Sequence, residues 1–342
     1  MKVWEGYTKG VNLGGWISQY AKYDEEHFRS FITEADFPEI KRLGFDHVRI
    51  PVDYPLLEND EGVENPLGIE ILKKAQEWCH TYGLKMIIDM HEVFGYSFDP
   101  LKKEMDREKF FYDEELQERF FALWSRLAKA FGDDPDTVAL ELLNEVVLMG
   151  VADAWNVVVS KVIDVIRKDA PRSWIVVGGV CYNAITSVKL LDPPKDDRIV
   201  YNFHCYEPII FTHQGAYWVD GMPSDFRIGY PDSLEKYREE SQKYARDLVG
   251  ALYDRAVTSI GPEFFEDLFT PAVEAAESFG VPLYCGEYGV IELAPMDSAL
   301  RWFHDIHGVF EKYKIGRALW NYRGKDFGLV DPYYDSIREK IL

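Results

Sequence analysis

Cysteine is scarce, with four in 342 residues, and Cys79, Cys181, Cys205 and Cys285 form no CxxC pair. That spacing argues against a zinc site or a redox dithiol and favours free buried thiols. Long hydrophobic runs are also missing. No apolar stretch reaches the roughly 18 residues of a membrane span, and the start "MKVWEGYTKG" lacks an apolar core of signal-peptide length. The chain as it stands reads as cytoplasmic, or as secreted if a leader preceded it. Basic charge is in deficit, 38 Lys and Arg against 59 Asp and Glu, a formal charge of −21. Such a surface repels nucleic acid and anionic membrane and leaves neutral ligands open. There is no G-x-G-x-x-G turn: "NLGGW" has glycines without that spacing, which counts against a dinucleotide fold. Heptads, low-complexity tracts and short repeats are absent too.

Hydrophobic residues make up 47% of the chain, ample for a large core. Eight short runs rich in β-branched and aromatic residues recur: 10–16, 45–51, 84–91, 138–145, 173–179, 198–206, 281–290 and 316–322. The spacers have helical period. Leu116, Phe120, Trp124, Leu127, Ala128 and Phe131 form one stripe; Val151, Ala154, Trp155, Val158, Val159, Val162 and Ile166 form another. Ile71, Leu72, Ala75 and Trp78 mark a third helix, with Gly83 past its last turn. Eightfold strand–helix alternation predicts an α/β fold, a closed parallel (β/α)8 TIM barrel, with a doubly wound sheet as the other solution. The chain reads as one catalytic barrel over residues 1–342. More than fifty residues, 207–261, separate the sixth run from the next helix, including "FTHQGAYW" and a charged helical stretch near 233–253. A spacer of that length predicts an insertion subdomain over one end of the barrel.

Polar residues close most of the eight runs: Arg49, His91, Asn144 with Glu145, His204 with Tyr206, Glu287, and Trp320 with Asn321. In a parallel barrel these ends converge on one face, where such barrels place their chemistry. The run "TVALELLNEVV" (137–147) poses the question sharply, because a buried strand that ends in an amide and a carboxylate bears a cost unless those groups are partnered or emerge at the mouth. Glu145 and Glu287 end the fourth and seventh runs. Paired carboxylates suit glycosidic cleavage, one protonating the leaving oxygen while the other attacks the anomeric carbon or directs water to it. Asn144 offers a neutral donor to a sugar hydroxyl. Arg49 is placed to hydrogen-bond Glu287 and keep it ionised, and Tyr206 to orient the same carboxylate. Trp320 offers a flat face to a sugar ring. Taken singly, each has an ordinary reading: surface carboxylate, core ion pair, structural histidine, core ring. Their joint position at one barrel face carries the functional reading. The histidines are scattered one per strand, without metal-ligand spacing, so no metal is expected.

The set Arg49, His91, Asn144-Glu145, His204-x-Tyr206, Glu287 and Trp320 resembles the pattern of glycoside hydrolase family 5. "NLGGWISQY", "GFDHVR", "IVYNFH", "FTHQ", "LYCGE" and "WNY" are similar to pieces of its clostridial endoglucanases. The resemblance implies retaining hydrolysis of β-glycosides without a cofactor, with Glu145 as acid/base and Glu287 as nucleophile. It implies that Asn144 binds the 2-hydroxyl, that His204 lies near the acid/base and Tyr206 near the nucleophile, and that Arg49 supports Glu287. His91 would line the sugar subsite and Trp320 would floor it. The expected partner is a β-glucan oligosaccharide or polysaccharide, with β-1,4 or mixed β-1,3-1,4 linkages cut internally by a monomer. A mannan or β-1,3-glucan substrate on the same scaffold is the alternative. A non-catalytic carbohydrate-binding barrel is the rival of another class, and it would have lost Glu145 or Glu287.

Overall fold

A computed structural model describes residues 1–246, 250–324 and 326–342. Eight parallel strands close into a barrel in chain order. They are β1 (Lys9–Asn12), β2 (His47–Asp53), β3 (Lys85–Glu92), β4 (Val138–Glu141), β5 (Trp174–Gly178), β6 (Ile199–Cys205), β7 (Leu283–Tyr288) and β8 (Gly316–Leu319). Each of the eight apolar runs overlaps one of them.

The three helices expected from apolar stripes form as Pro66–Tyr82, Glu114–Phe131 and Ala152–Asp169. The first starts on Asn65, whose side chain accepts the Leu67 amide, and stops at Gly83 with φ 64°, a left-handed cap that glycine adopts without strain. The alternation is not uniform. Between β5 and β6 the chain forms only a 3-10 stretch, Ile185–Leu190, and Pro193-Pro194 beyond it bar a longer helix. Residues 207–261 hold short helices at Ile209–Thr212 and Leu234–Tyr244 and a 3-10 turn at Gly250–Leu252; of the helical stretch expected near 233–253, residues 247–249 lie outside the described residues. The buried Phe211, Tyr230, Leu234 and Tyr237 of this segment join the apolar layer that surrounds the barrel.

Strand periodicity decides what the lumen contains. Side chains alternate between the barrel interior and the helix layer. Ile87, Ala139, Val176, Val200, Tyr284 and Ala318 pack with Trp4 and Tyr7 into an inner cluster separate from the helix-facing layer. Two residues further along, β3, β4 and β6 present Asp89, Glu141 and Asn202, all fully buried. With Asn12 and Arg49, which sit opposite each other in the β1–β2 register, these form a polar layer above an apolar one. One more step along β3 and β6 brings His91 and His204 to the C-terminal mouth. No helix among the described residues is long and apolar enough to cross a membrane.

Candidate active site

Arg49 of β2 is the hub of the polar layer and is 0% exposed. Its Nε and Nη2 donate to Glu141 Oε2 and Oε1 at 2.7 and 2.8 Å, a two-point grip. Nη1 donates to Asn12 Oδ1 at 2.9 Å and to Glu287 Oε1 at 2.8 Å. Nη2 also reaches Asn144 Oδ1 and Asp89 Oδ2, each at 3.0 Å. Burial works against the charge of Arg49, but Asp89, Glu141 and Glu287 hold the guanidinium protonated.

Glu287 faces the lumen because β7 bulges. Phe203 pairs with Cys285 and His204 pairs with Glu287, so one extra residue sits on β7. That residue is Gly286, where a Cβ would lie 2.8 Å from the Asn202 amide and 3.1 Å from His204 Nε2. The bulge turns Glu287 inward while Tyr288 packs outward. Glu287 Oε2 accepts from the Tyr206 hydroxyl at 3.0 Å.

Asn144 and Glu145 lie past the end of β4, not on it, in a segment tied down at each step. The Asn144 amide donates to Met90 O, Trp124 Nε1 to Leu142 O, and the Tyr96 hydroxyl bridges Glu145 O and the Val147 amide. Asn144 spends its carbonyl oxygen on Arg49, so its amide nitrogen is the free end; it is buried without a partner, as is His91 Nε2. Both are available to ligand hydroxyls. Glu145 Oε1 lies 2.8 Å from His204 Nδ1, and Glu287 Oε2 lies 3.7 Å from the same nitrogen. The ring of His91 lies parallel to that of Trp320, centroids 5.9 Å apart and planes 4° apart, while its Nδ1 bonds Asp89 at 2.6 Å.

The eight expected site residues therefore come together at one mouth. Burial, the charge of Glu287 and that of Asp89 push Glu145 well above the ordinary carboxylate range, with Arg49 pulling the other way. Burial raises Glu287 as well, but the neighbouring Arg49 and the Tyr206 hydrogen bond oppose it. Burial keeps His91 neutral, its pKa lowered to about 4, and holds His204 well below its usual range.

Glu145, His204 and Glu287 offer donor atoms all within 4.8 Å of one another, the spacing of a metal site. The Glu287 donors are committed elsewhere. Both Glu287 oxygens already accept from Arg49 and Tyr206, and a guanidinium 2.8 Å from that carboxylate repels a cation.

Sequence reasoning missed Asn12, Asp89, Glu141 and Asn202. It also missed two rings beside Tyr206, His213 at 4.9 Å and Phe327 at 5.8 Å between centroids; Trp218, an aromatic of the segment expected to wall the cleft, packs against both. The polar residues did carry a signal. Each lies inside an apolar strand run, where a polar group without a partner is costly.

Residues 5–326 match the profile of the Cellulase family, glycosyl hydrolase family 5. The chain belongs to this family. It is a glycoside hydrolase of the endoglucanase type. Cellodextrinase A of Ruminococcus flavefaciens is 41% identical over 312 residues, covering 91% of this chain and 84% of that protein. Endoglucanase C of Acetivibrio thermocellus is 38% identical, covering 98% of this chain and 97% of its own length. Among solved structures, Thermotoga maritima Cel5A in complex with mannotriose superposes with a TM-score of 0.74 at 23% identity, over 98% of this chain and 97% of its own. The cellulose synthase subunit Z of Clostridioides difficile gives 0.76 at 22% identity, over 98% and 99%. At those identities the structures speak for the barrel alone.

Proposed function

We propose that this hydrolase cuts internal β-1,4 or mixed β-1,3-1,4 glucan linkages with retention of configuration, through a covalent glycosyl-enzyme on Glu287. The observation that carries the reading is the closeness of Glu145 and Glu287, whose facing oxygens lie within 4.8 Å of each other across His204 Nδ1. Retaining enzymes hold their carboxyl groups about 5–5.5 Å apart, and inverting ones need about 6.5–9.5 Å to admit a water.

The roles follow from the partners. Arg49 and Tyr206 favour ionised Glu287, which attacks the anomeric carbon as the bond to the leaving oxygen breaks. Glu145 keeps its proton and delivers it to that oxygen. His204 Nδ1 lies 2.8 Å from Glu145 Oε1, so the ring hydrogen sits on Nδ1 and donates to that oxygen. Oε2 is then left to carry the acid proton. In the second step Glu145, now a carboxylate, takes a proton from water. That water attacks the anomeric carbon and frees Glu287. Asn144 Nδ2 holds a hydroxyl of the reacting sugar, and the Trp320 face lies beneath its ring. The segment 207–261 walls one side of the cleft with Trp218.

The names of the two relatives, a cellodextrinase and an endoglucanase, support a glucan substrate. Product analysis on soluble β-1,4-glucan, mixed-linkage glucan, β-1,3-glucan and mannan tests the reading. Fastest release of short oligosaccharides from the first two, unchanged by a chelator, is expected. Fastest turnover of mannan or β-1,3-glucan would overturn the linkage, and loss of activity on chelation would overturn the mechanism.

A further inference from the structure

Five residues from five strands form a closed ring of hydrogen bonds beneath Glu287. Glu141 Oε1 accepts from Asn202 Nδ2 at 2.8 Å. Asn202 Oδ1 accepts from the Gly286 amide at 2.8 Å. Gly286 O accepts from Asn12 Nδ2 at 2.9 Å. Asn12 Oδ1 accepts from Arg49 Nη1 at 2.9 Å, and Arg49 closes the ring on Glu141 with two bonds. Gly286, the residue of the β7 bulge, is thus gripped at both its N–H and its C=O, one residue before the catalytic carboxylate.

The direction of every bond in the ring is forced. The Gly286 amide is a donor, so Asn202 must turn its oxygen to it and its nitrogen to Glu141. Arg49 brings two more donors to Glu141. Glu141 therefore receives three donors on two oxygens and has nothing to donate, a set that only a carboxylate satisfies. A glutamine would turn one N–H toward Arg49 or Asn202, donor against donor, and leave a buried group unmatched.

We propose that Glu141 is a positioning residue. Through Asn202 it fixes the backbone that carries Glu287, and through Arg49 it fixes the guanidinium that aims the Glu287 carboxylate. This rests on Glu287 being the nucleophile of a retaining enzyme. Glu141 does not touch the substrate. Its removal should slow attack at the anomeric carbon and leave sugar binding, which uses Asn144, His91 and Trp320, nearly unchanged.

The test uses 2-deoxy-2-fluoro-β-cellobiosyl fluoride, whose fluoride leaves without a proton, so its rate of labelling reads the nucleophile apart from Glu145. E141Q and N202A are compared with the wild type; N202A cuts the ring without touching Arg49. Misplacing a reacting group by about 1 Å costs on the order of 100-fold. E141Q should label roughly 100-fold more slowly, and N202A about tenfold, each with the inhibitor's dissociation constant within about threefold of wild type. N202A labelling at the wild-type rate overturns the proposal whatever E141Q does, including a failure of E141Q to fold. Binding lost in step with rate in N202A overturns it as well. A wild-type protein that takes no label on Glu287 would overturn the retaining reading, and this role with it.

Discussion

Replacing Glu145 by alanine removes the carboxyl held 2.8 Å from His204 Nδ1 and within 4.8 Å of Glu287. Two like unit charges at that separation repel by about 3.5 kcal/mol at an effective dielectric near 20. That repulsion adds to burial, so the pair keeps one proton between its first and second ionisations. Arg49 and Tyr206 give the first ionisation to Glu287, and Glu145 keeps the proton. Activity in the wild type should rise with pH as Glu287 ionises and fall as Glu145 does, a bell-shaped profile. General acid catalysis contributes about 10²–10⁴-fold, which is roughly 3–5 kcal/mol. Glu145→Ala should lose that much on a cello-oligosaccharide, whose leaving sugar needs the proton. It should lose far less in the glycosylation step on a dinitrophenyl cellobioside, whose leaving group departs unaided, and its alkaline limb should disappear. Without a base to activate water the glycosyl-enzyme persists, so azide should accelerate turnover and yield a β-glycosyl azide. Initial rates on both substrates from pH 4 to 9, with and without azide, make the check. Equal losses on both substrates with no azide product would refute the assignment and leave Glu145 as a prop for its loop.

Other substitutions test other parts of the account. Glu287→Gln should fold and lose several orders of magnitude in kcat, since an amide cannot form the ester; a variant keeping more than about a tenth of wild-type activity removes Glu287 from the role. Trp218→Ala should raise KM for long oligosaccharides several-fold with only a modest fall in Tm, because the ring is partly buried against Phe327 and His213; an unchanged KM with a lower Tm would make the ring mere packing. Asp46 accepts from the Thr8 and Lys9 amides at 2.9 and 3.0 Å and pairs with His47 Nδ1 at 2.6 Å. Burial pushes its carboxyl up, but these bonds outweigh burial and hold it well below the usual range. A depressed folded pKa stabilises above the unfolded value and stops doing so as pH falls. Asp46→Asn should therefore cost about 1–3 kcal/mol at neutral pH, and the gap should narrow in urea titrations below about pH 4. A gap of constant size down to about pH 2.5 would contradict it.

The barrel was legible because each strand is a short apolar run bounded by turn residues, and the mouth residues because they close those runs. Glu145 was legible as a site residue although its strand ends at Glu141, since the four-residue difference does not move it off the same face. Glu141 itself was not. Inside "VALELLNE" it reads as one polar letter in an apolar run, and only the closed barrel shows that positions 139 and 141 face a lumen whose upper layer is polar. The inward turn of Glu287 depends on a bulge that no local residue preference announces except Gly286. In the ring cluster Tyr206, His213 and Trp218 are near neighbours in the chain, and it is Phe327, more than a hundred positions on, that lies beyond the reach of any window along it. The 3-10 crossover before β6 was legible in principle, since Pro193-Pro194 stand where a helix would have to continue.

Retention through Glu287 is the central claim, and the anomeric configuration of the first product tests it most directly. Proton NMR of a soluble cello-oligosaccharide mixed with enough enzyme to outrun mutarotation should show the β-anomer of the new reducing end first, with the α-anomer growing in as solution equilibrium is reached. An initial α-anomer would mean that water attacks directly, that Glu287 is a base and not a nucleophile, and that the close pairing of Glu145 and Glu287 has been misread.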